Sequence, residues 1–253
     1  MSCDLEVSQT ANFGAHGNTF IAEQNNGLSV ADATQIAFSI FREYYPQLRE
    51  ELLQDLRKLL EQELRDVPPE NIVPPTPRIA VPALQNASIT EEPEIRKLYA
   101  KLLANSMNSV VKDGVHPGFV EIVKQLSPDE AKILAYMRYH TRVPTITLVY
   151  TDDKESGISV VTDFTDVTFR TNCEKPYDWL KYIDNLVRLG LLKRSTLSSL
   201  TDKSVYEPLK NHPYIVPRCD DEPIRKSGFQ KYRLDEGYVD LTAYGIGFCN
   251  ICL

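Results

Sequence analysis

The stretch QLSPDEAKILAYMRYHTRVPTITLVY, residues 125–150, decides the fold, because a helix start and a change of period fall within one short run. Ser127 is placed to cap the free N–H groups of a first turn. Pro128 sits where a helix needs no N–H, and Glu130 can return a bond to the cap from the third position. Ile133, Leu134 and Met137 then follow at helical spacing. After Tyr139 the pattern passes to the Val, Ile and Thr of PTITLVY, and SGISVVTDFTDVTF follows across the polar turn DDKESG. Both runs read as strands.

Downstream, PYDWLKYIDNLVRLGLLKR gives one helical face of Trp179, Tyr182, Ile183, Leu186 and Leu189, with Gly190 placed to end it. Beyond a Ser/Thr/Asp-rich stretch and the polar, hairpin-like segment around NHPYIVPRCDDEP, the run YVDLTAYGIGFCNICL closes a strand at Tyr238, Leu241 and Thr242. It then begins a last helix, which Gly245 and Gly247 weaken. Capped helix, strands, tight helix, polar hairpin and closing strand follow the order of a winged helix, in which one helix enters the major groove and a hairpin flanks it. Lys181, Asp184, Asn185 and Arg188 point outward from that helix, and Lys193, Arg194 and Lys203 lie just beyond. Lys181, Arg188, Lys193, Arg194 and Lys203 are therefore candidate nucleic-acid contacts, opposed by Asp178 and Asp184. A structural or protein-binding winged helix is the other reading of the same order.

Upstream the chain reads as helical. Residues 1–27, rich in Asn, Gly, Gln and Thr, form an expected flexible arm. VADATQIAFSIFREYY, capped by Ser29, places Ile36, Ile40 and Tyr44 on one stripe. From Pro46 to Asp66 a second helix carries Leu48, Leu52, Leu56, Leu60 and Leu64 on one face, a stripe that must be buried against this chain's own helices or against a second copy. A homodimer through residues 29–66 is expected if the helices at 29–45 and 90–109 cannot cover it. Five prolines in the eleven residues of VPPENIVPPTP end that helix and read as a linker able to hold it apart. A helix from Thr90 to Ser109 and a shorter one over PGFVEIVKQL complete this part. The expected fold is thus mainly α with a smaller α+β C-terminal part: an arm (1–27), amphipathic helices (28–67), a helical bundle-like core (68–125) and a winged-helix-like module (126–253).

The net charge of −7 is carried by residues 1–70, whereas residues 170–253 sum to +2, so nucleic-acid attraction is expected only from a local basic face in the last third. No basic run leads into an apolar stretch at the start and no span is long enough to cross a bilayer, so a cytoplasmic protein without membrane insertion is expected. Five scattered cysteines read as free thiols. The Cys249/Cys252 pair has the spacing of a metal or redox site but lacks a second pair near it, which favours buried or incidental thiols. His116, beside Pro117, is placed to brace a helix start, and the paired acids Glu91/Glu92, Asp152/Asp153 and Asp220/Asp221 read as turn or cap carboxylates. No phosphate-cradling glycine loop is present.

The run PPTPRIAVPALQNASITEEPEIRKLYAKLLANSMNS, followed by VHPGFVEIVKQLSPDEAKIL and the terminal LTAYGIGF, resembles the Abi-alpha family over about residues 70–253. These are bacterial and prophage proteins of unknown function linked by name to abortive infection. Arg78, Pro82, Leu102, His116, Pro117 and Ser127 are among the matching positions, whereas the extra Thr76-Pro77 and Tyr244 depart from the pattern. The resemblance implies a fold and supplies no catalytic residue or cofactor. With no chemical site in the residues, the expected function is a non-enzymatic phage-defence or stress-response protein that binds a protein partner. A DNA-binding regulator and an enzyme with a dispersed site are the alternatives.

Overall fold

The computed structural model describes residues 29–44, 50–154 and 156–253, with the side chains of Ala37, Ile40 and residues 41–50 left aside. The expected arm at 1–27 and Leu48 lie outside these residues. Six helices come first: α1 (Val30–Tyr44), α2 (Glu50–Leu64), α3 (Pro77–Ala87), α4 (Pro93–Ser106), α5 (Gly118–Lys124) and α6 (Pro128–Met137). The α+β part follows, with β1 (Arg142–Thr151), β2 (Gly157–Phe164), α7 (Val167–Arg170), α8 (Trp179–Arg188) and β3 (Leu192–Ser195). It closes with α9 (Glu207–Lys210), α10 (Glu222–Lys226), β4 (Lys231–Leu241) and α11 (Ala243–Cys252). No described helix is long and apolar enough to cross a membrane.

Helix α4 packs against α2, α3, α5, α6 and α11, with nine of its fourteen residues buried and the polar stripe of Glu94, Lys97, Lys101 and Asn105 left at least partly open. One polar residue inside that contact, Arg96, donates to the carbonyls of Thr90 and Glu91 at 2.9 Å and to Asp55 on α2 at 3.0 Å. It thereby fixes the turn between α3 and α4 as well as the approach of α2.

The leucine stripe of α2 closes on this chain. Leu56, Leu60 and Leu64 are fully buried in the core shared with α3 and α4, Leu53 is buried beside them, and Leu52 is half-buried. The condition on which a second copy was expected to cover the stripe is therefore not met at Leu56, Leu60 and Leu64. The proline-rich segment does not hold α2 apart either. Val73 N donates to Met107 O and Ser109 N to Asn71 O, both at 2.8 Å, and Ile72 is buried opposite Asn108. Proline removes N–H groups from a helix but leaves the intervening Asn71 and Val73 free to pair with the end of α4.

The four strands form one antiparallel sheet in the order β2-β1-β4-β3. The long β1–β4 ladder runs from Arg142↔Asp240 to Thr151↔Lys231. With α6 before β1, α7 and α8 after the β1–β2 hairpin, and β3 pairing with β4 as the wing, the module is winged-helix-like. Strand β4 begins at Lys231, seven residues before Tyr238, because the polar run KYRLDEG is a half-exposed strand whose charged side chains hide its period. The segment read as hairpin-like around NHPYIVPRCDDEP (211–223) instead lies, with its flanks, in α9, α10 and short 3₁₀ turns. There Tyr206, Leu209 and Ile215 build a second core with Ile146, Leu148, Tyr150, Phe164 and Trp179.

Helix α11 forms despite its glycines, and Gly245 explains why. Thr242 caps the helix by accepting from Gly245 N at 2.9 Å, while its hydroxyl donates to Gly190 O and its N–H to Leu191 O. A β-carbon at Gly245 would overlap the Leu191 carbonyl oxygen. The small residue is needed for contact, whatever it costs in helix propensity. At the other end, Lys101 and Asn105 of α4 donate to the terminal carbonyls of Leu253 and Ile251 at 2.9 and 2.7 Å.

Gly245→Ala should lower unfolding stability by about 3 kcal/mol in urea titrations, the scale of an overpacked contact against rigid backbone. Gly247→Ala, whose β-carbon would meet nothing closer than Phe119 Cζ at 3.8 Å, should raise it by up to about 1 kcal/mol. Replacing Leu56 and Leu60 together by Glu should abolish the cooperative urea transition, because two unpaired carboxylates would enter a filled core.

Candidate functional site

Helix α8 is the tight helix that carries two of the candidate side chains, Lys181 and Arg188, and its placement begins with its ends. Trp179, its first residue, donates from Nε1 to Thr162 O on β2 at 3.1 Å. At its C-terminus Gly190, at φ 74°, donates to Val187 O and Leu191 N to Leu186 O, the paired bonds of a Schellman motif. Trp179, Tyr182, Ile183 and Leu186 are buried, leaving Lys181, Asp184 and Arg188 exposed.

The rotation of α8 about its axis is set by the first turn of α6. The capping box is present as expected: Ser127 Oγ accepts from Glu130 N, and Glu130 accepts from Ser127 N at 2.7 Å. Glu130 also accepts from Asn185 Nδ2 at 2.7 Å, and Asn185 donates to Gln125 O at 3.1 Å. Asn185, read as outward, therefore faces α6.

Asp129 has the larger role and was not singled out in the sequence. Its carboxylate, 6% exposed, accepts from Glu174 N at 2.9 Å, Lys175 N at 3.1 Å, Tyr182 OH at 2.9 Å and Lys132 Nζ at 3.0 Å. Burial alone would push its pKa up, but the four donors outweigh burial and hold it at about 2. Burial and the neighbouring Asp129 together push the Tyr182 hydroxyl up. A carboxylate so saturated holds backbone in place and has no capacity to exchange protons near neutrality. It lies at the base of a cleft of about 660 Å³ between α6 and α8, whose rim includes Lys124, Lys132, Lys175 and Lys181. Only the spacing of a capping box was legible in the sequence here, since three of the donors come from residues 174, 175 and 182.

Four of the five candidate basic residues are paired with carboxylates. Lys181 lies 3.9 Å from Asp178, Lys193 3.6 Å from Asp240, and Lys203 2.7 Å from Glu236. Arg194 contacts Asp163 at 2.8 Å and also pairs with Asp184. Asp163 meets it from a left-handed backbone position, φ 47°. Arg188 alone of the five has no carboxylate partner among the described residues, and its guanidinium donates to Gln125 Oε1 and Asn185 Oδ1. Along α8 a shallow cleft of about 680 Å³ is lined by Tyr177, Leu180, Lys181, Asp184 and Arg188, with Tyr177 62% exposed.

The remaining candidates have structural contacts. His116 Nδ1 accepts from Gly118 N at 3.0 Å, bracing the start of α5 as expected, with Tyr244 against its ring. Cys173, Cys249 and Cys252 are buried and Cys219 half-buried, all as free thiols. Burial raises the Cys249 thiol to about 11, away from thiolate chemistry at neutral pH. Among the described residues no three His, Cys, Asp or Glu side chains cluster as metal ligands would.

The family model described as abortive infection alpha matches residues 48–252. No curated protein matches the chain. Among solved structures, an uncharacterized protein from the hydrocarbon-degrading marine bacterium Alcanivorax borkumensis SK2 is similar at 15% identity. The match covers 53% of this chain and 90% of that one with a TM-score of 0.34, a likeness too slight to carry an argument.

Because Asp129 titrates at about 2 in the folded chain and near 3.8 when unfolded, its contribution is present above pH 4 and is lost as pH falls through 2. Asp129→Asn should cost about 2 kcal/mol at pH 7. It should also flatten the acid limb of stability against pH, measured by urea unfolding between pH 2 and 5.

Proposed function

The chain belongs to the abortive infection alpha family, and on that footing we propose that it is a non-enzymatic phage-defence or stress-response protein that acts by binding another protein through the α8 face. The carrying observation is the pairing of charge around that face. Asp178 and Asp184 partner Lys181 and Arg194, so the surface a duplex would meet is close to neutral. Phosphate binding draws its affinity from unpaired cations that release counterions, and here those cations would first have to give up carboxylates. What this face offers instead is Tyr177, exposed in the turn before α8, and Arg188 of α8 beside a shallow cleft, side chains of the types that carry much of the energy in protein interfaces. The expected role of the module as a DNA-binding regulator rests on Arg188 and has less support from this arrangement.

Expression in a phage-sensitive bacterial host should reduce plating efficiency. The double change Tyr177→Ala and Arg188→Ala, at exposed positions, should restore plating at least about tenfold, the loss of one interface anchor, with protein level unchanged. Plating identical with and without the protein over a broad phage panel would overturn the proposal. Retardation of mixed duplex DNA at low salt that Lys181→Ala and Arg188→Ala abolish would replace it with the regulator.

A further inference from the structure

From Ala131 to Thr151 the chain contains no Asp or Glu, and from Asn185 to Thr201 again none. The fold sets these two runs on either side of β4, which pairs with both β1 and β3 and brings Asp235, Glu236 and Asp240 between them. Glu236 is held by Lys203 and Lys210, and Asp235 by Arg233. Arg142 and Lys193 stand opposite the same residue, Asp240, in the two ladders, and share its carboxylate at 3.5 and 3.6 Å. Arg138, at the end of α6, has no carboxylate partner among the described residues. The aromatic residues of this surface are arranged with them. The Arg138 guanidinium carbon lies 5.8 Å from the centre of the Tyr139 ring, and that of Arg142 5.4 Å from the centre of Tyr238. Tyr139 is 77% exposed, and Leu197, just after β3, is fully exposed.

We propose that this surface, formed by Arg138, Tyr139, Arg142, Lys193 and Tyr238, binds single-stranded nucleic acid. The exposed Tyr139 ring and the half-buried Tyr238 ring, each beside a guanidinium group, match a chain of alternating phosphates and unstacked bases: cations meet the backbone, and every base has a face that can stack on tyrosine. An acidic segment without aromatic or apolar side chains would use the cations but leave the open Tyr139 ring without a partner. A duplex keeps its base faces inside, out of reach of that ring. The surface is distinct from the outward face of α8, so the inference goes beyond the protein-binding reading and can fail or stand without it.

The test is fluorescence anisotropy of a labelled mixed-sequence 12-nucleotide single strand, as DNA and as RNA, against the full chain from 50 mM salt upward. Binding should weaken with a log–log salt slope of about −2, three contacts on a single strand at about 0.7 each. Tyr139→Ala should weaken it at least about fivefold with unchanged circular dichroism and Tm, since the ring is mostly in solvent. Arg138→Ala should reduce the slope by about 0.7, and Lys181→Ala with Arg188→Ala should change nothing. No binding at the lowest salt overturns the proposal, as does tighter binding to duplex. Equal binding of a polyglutamate peptide, indifferent to Tyr139→Ala, would also overturn it and assign the surface to an acidic protein segment.

Discussion

The carboxylate of Asp129 holds the C-terminal half of this protein in register with the rest. An ionised group at 6% exposure is tolerable only when hydrogen bonds replace its water. Here four donors do so: two backbone N–H groups of the turn before α8, a hydroxyl from α8 and a lysine of its own helix. Three of the four can be supplied only when α8 and the turn before it stand where they do. Glu130, one residue on, holds Asn185 and so fixes the angle of the same helix about its axis. The choice of which side chains α8 turns outward, and with it the character of the candidate site, follows from two adjacent acids in the first turn of α6.

The sheet transmits this placement to the other end of the molecule. Arg194 on β3 reaches Asp163 on β2, at the opposite edge of the curled sheet, and also pairs with Asp184 of α8. Two close approaches depend on glycine. Gly237 leaves room for the Ser195 carbonyl beside β4, and Gly245 lets α11 rest on the carbonyl of Leu191. Through α11 the C-terminal module returns to α4, where Lys101 and Asn105 receive its last carbonyls. A single buried cluster accordingly includes Leu56 of α2, Tyr99 of α4, Leu186 of α8 and Cys252 of α11.

Charge is distributed in two different ways on the module. Around α8 most bases have an acid of their own, and the surface is nearly neutral in detail as well as in sum. Near the end of α6 Arg142 and Lys193 share the single carboxylate of Asp240, and Arg138 has no carboxylate partner among the described residues. Electrostatic character at the scale of a ligand is set within about one Debye length, roughly 8 Å at physiological salt, and it is spatial proximity that decides which charges fall inside that radius.

The sequence by itself determined the elements whose causes are local. The capping box of Ser127 and Glu130, the stop of α8 at Gly190, the leucine stripe of α2 and the strands after Tyr139 each depend on bonds or periodicity within a few residues. Those features, with the order of elements, were enough for a helical part followed by a winged-helix-like module. Tertiary structure alone decided what covers the α2 stripe, that the proline-rich segment lies against the end of α4, that Asp129 is a junction, and which acid neutralises each candidate base. It also turned Gly245 from a weak point of a helix into its contact. The physical reason is the same in each case: the partner is a backbone or side-chain atom tens of residues away, and neither spacing nor composition encodes where a distant carbonyl or carboxylate comes to rest.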